Sequence, residues 1–315
     1  MSRHLGIAKE VTYGLALTPT HYMEALSEDL HVEREQESLA TIRSFVPIDI
    51  FELTQVVKGS FEMLANYEEI GILLRAFLGN VDRTGAGPIY THTYPKSTGL
   101  ADRTDSFCVE VLRDTGASNS FRYSGLKCQS WNVSSANDRT TRMTFGWLGK
   151  TGAVAGPGTP TFPTFRPIPP ADVSLTMDPD PPGGPAALNA RTFDLTCEWP
   201  TDETFQLGSS SLSTEPIDNL LVVTGSSEIH FVGGDADDMI AAFLGFTTTD
   251  VAVAMTDGTH SLTINMNNTK LTKAEPGVSG RDRLVATYEW EAFFDTTATG
   301  SLQAILVDND DETDW

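Results

Sequence analysis

Two short sequence matches at one spacing constrain this chain more than any other feature. Val57-Lys58-Gly59-Ser60 is echoed by Val223-Thr224-Gly225-Ser226, and Ala76-Phe77-Leu78-Gly79 by Ala242-Phe243-Leu244-Gly245. Both matches lie 166 residues apart (59 to 225, 76 to 242). Chance matches have no reason to share a spacing. Further echoes follow in the same order: Ser106–Val111 with Ser261–Met266, Leu126-Lys127 with Leu271-Thr272, and Phe145-Gly146-Trp147 with Tyr288-Glu289-Trp290. The last spacing is 143, so the first copy is expected to hold 23 more loop residues than the second (166 against 143). Repeated supersecondary units tend to join into continuous sheets or rings.

Within each copy the pattern is mainly β. Residues 51–63, Tyr90–Tyr94, 106–112, Phe121–Cys128, Arg142–Leu148 and Phe193–Trp199 are β-branched or aromatic runs with turn punctuation. Leu30–Arg34, Leu220–Val223 and Glu228–Phe231 read as shorter strands. One helix is expected over 67–79, because Ile70, Leu73, Leu74, Phe77 and Leu78 form one apolar stripe. Glu68 and Glu69 suit its start and Gly79 its C-cap. A second is expected over Asp235–Leu244, with Met239, Ile240, Phe243 and Leu244 as its stripe, closed by Gly245. Tyr22–Leu26 with Leu30 reads as a short helical turn. Ten of the 17 prolines fall within 151–190, which argues against a continuous central strand there and for a long loop over 177–190. The expected division is a first domain at 1–150 with an N-terminal arm, a Pro/Gly-rich connector at 151–191, and a second domain at 192–315 with an acidic tail.

The 315 residues carry 21 Lys and Arg against 43 Asp and Glu, a net charge of −22. That balance excludes a general surface that grips a nucleic-acid backbone. No stretch approaches 18 apolar residues, so no membrane insertion is expected, and no secretory signal is evident. Cys108, Cys128 and Cys197 form no CxxC pair and read as buried small hydrophobes. No catalytic, cofactor-binding or metal-binding residues are assigned. HExxH, GxSxG, P-loop and dinucleotide fingerprints are missing from the sequence. His92 and His230 sit in strand-like runs and read as structural. Asp235, Asp237 and Asp238 read as a helix start, favoured there by the helix dipole. Asp308–Asp314 reads as a solvated acidic tail that lacks the glycine and final glutamate of a calcium loop. Arg122, Lys127 and Arg142 are expected to pair with acids of neighbouring subunits. A hydrolase built on two carboxylates would need acids positioned for proton transfer, and no spacing identifies them.

Taken in order, these landmarks resemble the tail tube proteins of long, non-contractile-tailed bacteriophages, in the larger form with a duplicated tube domain. Tyr13-Gly14-Leu15-Ala16-Leu17-Thr18-Pro19-Thr20 resembles the opening signature of that family. Val57–Glu62 resembles the strand before the first helix, Tyr90–Tyr94 a Tyr-Thr-His-Thr segment, and Tyr123–Cys128 a Tyr-x-Gly-Cys-Lys strand. Pro276–Asp282 and Tyr288–Phe294 resemble the second-domain strands. The resemblance implies two tandem β-sandwich or barrel-like domains, each with a flanking α-helix. It implies a virion structural subunit and no enzyme: rings stacked head to tail around a channel for the tape measure protein and ejected double-stranded DNA. Trimeric pseudo-hexamers are favoured over hexamers, with tail terminator and baseplate proteins at the ends. The implied location is the virion tail, and the host cytoplasm before assembly. Residues 1–50 and 80–105 are the expected ring-to-ring contacts. Competing readings are a tail terminator or baseplate component, or a carbohydrate-binding β-sandwich exposing an aromatic groove around Trp131, Trp147 or Trp199.

Overall fold

The computed structural model describes residues 3–310 apart from 41–42, 44–45, 95–102, 114–118, 180–185, 213–214, 231–233, 278–284 and 294–300. The first half runs β1 (His4–Lys9), β2 (His21–Met23), β3 (Ala25–Glu28), β4 (His31–Leu39), β5 (Asp49–Leu64) and α1 (Gly71–Leu78). It continues with β6 (Asp82–Thr84), β7 (Tyr90–Tyr94), β8 (Phe107–Leu112), β9 (Ser120–Ala136), β10 (Arg139–Gly149) and β11 (Thr151–Ala155). After a 3-10 turn at Pro170–Asp172 come β12 (Val173–Pro179), β13 (Ala186–Leu188), β14 (Ala190–Glu198), β15 (Thr201–Asp202) and β16 (Ile217–Asp218). The chain ends with β17 (Val222–His230), α2 (Gly234–Gly245), β18 (Thr249–Thr256), β19 (Ser261–Gly277), β20 (Val285–Ala292) and β21 (Gln303–Asp308). Nineteen of the strands are hydrogen-bonded into one extended sheet, and β15 pairs with β16 apart from it. The fold is mainly β, with two short helices.

The pairing register repeats. Trp147 on β10 lies opposite Gly59 on β5, and Trp290 on β20 lies opposite Gly225 on β17. A side chain would not fit at either glycine. A Cβ on Gly225 would stand 2.4 Å from the Trp290 ring, and one on Gly59 2.7 Å from the Asp29 carbonyl oxygen. The bulges repeat too. Trp147 faces Cys128 while Gly146 faces Ser130, leaving Gln129 unmatched; Trp290 faces Leu271 while Glu289 faces Lys273, leaving Thr272 unmatched. Both strands keep a spacing of 143 (147 to 290, 128 to 271). Gly125 and Asn268, also 143 apart, share a left-handed backbone, with φ of 68° and 57°. The edge hairpins match as well: β1 pairs with β2 and β8, as β12 pairs with β13 and β18.

This register corrects two sequence alignments. The counterpart of Leu126-Lys127 is Thr269-Lys270, not Leu271-Thr272. The counterpart of β8 is β18, not Ser261–Met266, because β8 pairs with β9 as β18 pairs with β19. For Leu126-Lys127 the slip is two residues, which leaves every side chain on its proper face and is therefore invisible to alternation. The longer first copy holds its extra residues between α1 and β8. There β6 and β7 form a hairpin, and β7 pairs with the last strand, β21, from Tyr94 opposite Ala304 to Tyr90 opposite Asp308.

Other expectations are also revised. Residues 22–26 form β2 and β3 because pairing with β1 and β5 overrides a weak helical pattern. The expected loop over 177–190 contains the end of β12 and all of β13, and β12 pairs along its whole length with β18. β17 runs unbroken through Thr224–Ser227, where two strands were expected. α1 starts at Gly71, so Glu68 and Glu69 precede it and its first turn has no acid. All eight of its residues are buried, not one stripe, and Arg75 is accommodated by Asp105 at 2.8 Å. Gly79 closes it with φ of 93°. In α2, Met239 and Ala242 are buried, but Leu244 is 76% exposed. The core is aromatic: Trp131 stacks with Phe145, Phe61 with Trp147, and Phe193 with Trp290.

Candidate assembly surface

β4 and β5 make a hairpin that leaves the body of the fold. Its register runs from His31 opposite Lys58 to Leu39 opposite Asp49, with a bulge at Leu53. Of the nine residues of β4 only Val32 is not exposed, and the first five of β5 are exposed. At ~3.3 Å per residue the ribbon is about 30 Å long. It carries Leu39, Val46, Ile48, Ile50, Phe51 and Leu53, all exposed, the isoleucines at 59% and 60%. An apolar ribbon solvated on both faces is marginal by itself and marks an interaction site. Acids intersperse it: Glu33, Glu35, Glu37, Asp49 and Glu52. Alternation read from sequence shows that such a strand has two faces, but not that both meet water.

Open sheet edges are the second feature. Among the described residues, β4 pairs only with β5, and β19 beyond Thr269 pairs only with β20. By contrast β1 and β7 are paired on both sides, with Leu5, Ile7, His92 and Tyr94 buried, and Met23 of the short β2 is buried too. Of the segments expected to contact other rings, 1–50 and 80–105, the part that projects is 31–50, and β5 continues it as far as Leu53. Residues 95–102 fall outside the described ones.

The titratable side chains serve the interior. Buried Glu110 accepts from Arg122 Nη2 at 2.5 Å, Gly158 N at 2.8 Å and His4 Nε2 at 3.1 Å, tying β1, β8, β9 and the segment after β11 together. Burial acts to raise its pKa, but these donors outweigh it and the carboxyl sits below 4.5. Buried His92 meets buried Asp308 at 3.2 Å, so Asp308 is no part of a solvated tail; residues 311–315 lie outside the described ones. Burial disfavours the imidazolium, yet Asp308 and Asp310 raise the His92 pKa above 6.5. Burial pushes Glu69 up to about 7. Arg122, Lys127 and Arg142 pair inside the chain, with Glu110, Glu215 and Glu62.

A pH dependence follows from these three shifts. The contribution of Glu110, whose folded pKa is depressed, is present above pH 4.5 and lost as pH falls through the folded value. Those of Glu69 and His92, both raised, are present below 4.5 and 6.5 and lost as pH rises through their folded values. The subunit's thermal midpoint is therefore expected to be higher at pH 5 than at pH 8. Glu69→Gln should narrow the gap by on the order of 2 kcal/mol in unfolding free energy. An equal gap in wild type and Glu69→Gln, read by calorimetry, would refute the assignment.

No chemistry assembles around the remaining candidates. Trp131, Trp147 and Trp199 are buried, so the aromatic groove expected of a carbohydrate binder is missing at these positions. Cys108, Cys128 and Cys197 are buried thiols outside any disulfide. Among the described residues no group of three His, Cys, Asp or Glu could hold a metal ion, and no helix is long and apolar enough to cross a membrane. The side chains of Asp235, Asp237 and Asp238 lie outside the described ones. A cleft of about 590 Å³ beside β1, β3 and β8 contains Arg113, but Glu28 neutralises it at 2.7 Å. Sequence reasoning missed the Glu110 and His92 clusters, since their partners are distant in the chain.

No curated protein sequence matches the chain. The profile of the phage tail tube protein family matches residues 2–292. That family is structural and non-catalytic, and the match runs from before β1 to the end of β20. The chain belongs to the phage tail tube protein family.

Proposed function

We propose that this chain is a structural subunit of a bacteriophage tail tube. Subunits close into rings, rings stack head to tail, and the channel carries the tape measure protein in assembly and double-stranded DNA in ejection. The observation that supports this reading best is the projecting apolar β4–β5 hairpin in a chain of the tail tube family. The repeated register supports two related β-sandwich or barrel-like units, each with a flanking helix, at 4–155 and 173–308. These are wider than domains at 1–150 and 192–315 around a connector at 151–191. Two units per chain favour a trimeric ring with pseudo-sixfold symmetry over a ring of six chains. Tail terminator and baseplate proteins close the ends. Subunits reside in the host cytoplasm and then in the virion tail.

The net charge of −22 supports a negative lumen. Phosphates bind where Lys and Arg release their counterions, so an acidic wall repels the duplex and lets it pass. Purified subunit, examined by sedimentation at several concentrations and by negative-stain microscopy, is expected to give rings and stacked tubes as concentration rises. A monomer at every concentration would exclude the proposal.

A further inference from the structure

The junction between the two halves is a template for a junction between two chains. Inside the chain β9 pairs with β14, from Ala136 opposite Thr192 to Ser130 opposite Glu198. The repeat assigns each strand a counterpart. β9 corresponds to β19 at a spacing of 143, as the matched bulges show. β14 corresponds to β3 and β4 at a spacing of 165, because Leu195, Cys197 and Phe193 face Gly225, Val223 and Ser227, while Val32 and Glu28 face Val57 and Phe61. The edges of β4 and of late β19, both open among the described residues, are thus the counterparts of the two edges that join within the chain.

We infer that β4 of one chain pairs antiparallel with β19 of a second copy, in the register of the internal β9–β14 join. Transferred residue by residue, that register sets Glu33 opposite Lys273, Val32 opposite Ala274, His31 opposite Glu275 and Leu30 opposite Pro276. The inference deepens the tube reading and rests on it for the identity of the partner, a second copy of this chain.

Three features of the chain agree with this register. Charges are complementary: Glu33, which also meets Lys58 at 3.3 Å, falls opposite Lys273, which also meets Glu289 at 3.0 Å, where the internal join has Glu198 opposite Ser130. The hydrogen-bond phase also suits it. Trp199 N–H donates to Gln129 O and Asn137 N–H to Arg191 O, so odd-numbered β14 residues exchange bonds with β9. Their counterparts are Leu30 and Val32. Glu33 and His31 then fall at non-hydrogen-bonded positions, where facing side chains are closest. Pro276 has no N–H to give Leu30. The Leu30 carbonyl already accepts from Tyr123 Oη at 2.8 Å and from Arg113 Nη2, so the missing donor leaves nothing unsatisfied. Joining the edges also removes two exposed rows of backbone groups. Because the join is head to tail, repeating it closes a ring or extends a filament.

The test is a paired-cysteine variant of the full chain, Glu33→Cys with Lys273→Cys, oxidised under assembly conditions and viewed in the microscope. Disulfide bonding between copies is expected, as a ladder ending at the number of chains in a ring. The yield should be roughly tenfold above a Val32→Cys, Lys273→Cys control, whose thiols lie on opposite faces. Rings together with that ladder support both readings. Rings without it overturn the register and leave the tube standing. A ladder without rings supports the register and overturns the tube. Neither overturns both. Charge reversal adds a second readout: Glu33→Lys should raise the assembly concentration about fivefold, and adding Lys273→Glu should restore it.

Discussion

Gly59→Ala is expected to lower the unfolding free energy of the isolated subunit by about 3 kcal/mol, through overpacking and backbone strain acting together. Gly59 has φ of 138°, which side-chain-bearing residues rarely adopt. Its Cβ would also stand 2.7 Å from Asp29 O and from Leu30 Cα, and these are backbone atoms that cannot rotate aside. At Gly225 the obstacle is different. There the Cβ would press on the Trp290 indole at 2.4 Å. Gly225→Ala should therefore cost less once the ring is removed, and the cycle with Trp290→Ala should be non-additive by more than about 1 kcal/mol. Trp290→Ala alone should cost about 3–5 kcal/mol, since Trp290 is fully buried and stacked on Phe193. Urea unfolding of dissociated subunits measures all of these. A Gly59→Ala loss under about 0.5 kcal/mol, the range of an ordinary surface change, would show that the close approach is not a constraint.

The glycine–tryptophan contacts also show how far the sequence could be read. Gly59, Gly225, Trp147 and Trp290 are visible as repeated landmarks, and Tyr90–Tyr94 is a strand with the expected bounds. Local patterns carry that information. What they do not carry is which strand lies beside which. β7 pairs with β21 more than 200 residues away, and nothing near Tyr90 announces it. Burial of α1 on every side escapes a period-3.6 argument, because Arg75 breaks the apolar pattern and needs Asp105, thirty residues later, to be buried. The loop expected over 177–190 gives way to strands for a physical reason as well. Proline is tolerated at strand ends, so Pro179 closes β12 without preventing its pairing with β18. At the assembly surface, Phe51 opens the strand expected over 51–63, while Ile48 and Ile50 precede its expected start. Their exposure follows from the absence of a covering layer, which is a property of the whole fold.

That exposure leads to the largest expected effect. The triple variant Ile48→Ser, Ile50→Ser, Phe51→Ser should fold normally and fail to assemble. The three side chains are 59%, 60% and 51% exposed, so little of their burial belongs to the folded subunit. Each substitution should change subunit stability by no more than about 0.5 kcal/mol. In a tube the same atoms lose their water. At ~25 cal/mol per Å² of apolar surface, each side chain then contributes about 1 kcal/mol per contact, or roughly 3 kcal/mol for the three. That alone raises the concentration needed for assembly more than about a hundredfold, and every subunit of a ring feels it. The charge of the hairpin sharpens the test. Glu33, Glu35, Glu37, Asp49 and Glu52 repel other copies of a chain at −22, so apolar contact must overcome that repulsion. Without it, moderate salt should restore only part of the lost assembly by screening. Sedimentation and microscopy of wild type and variant, with calorimetry to confirm equal folding, distinguish the outcomes. Normal tubes at an unchanged concentration would remove the hairpin from the assembly contacts.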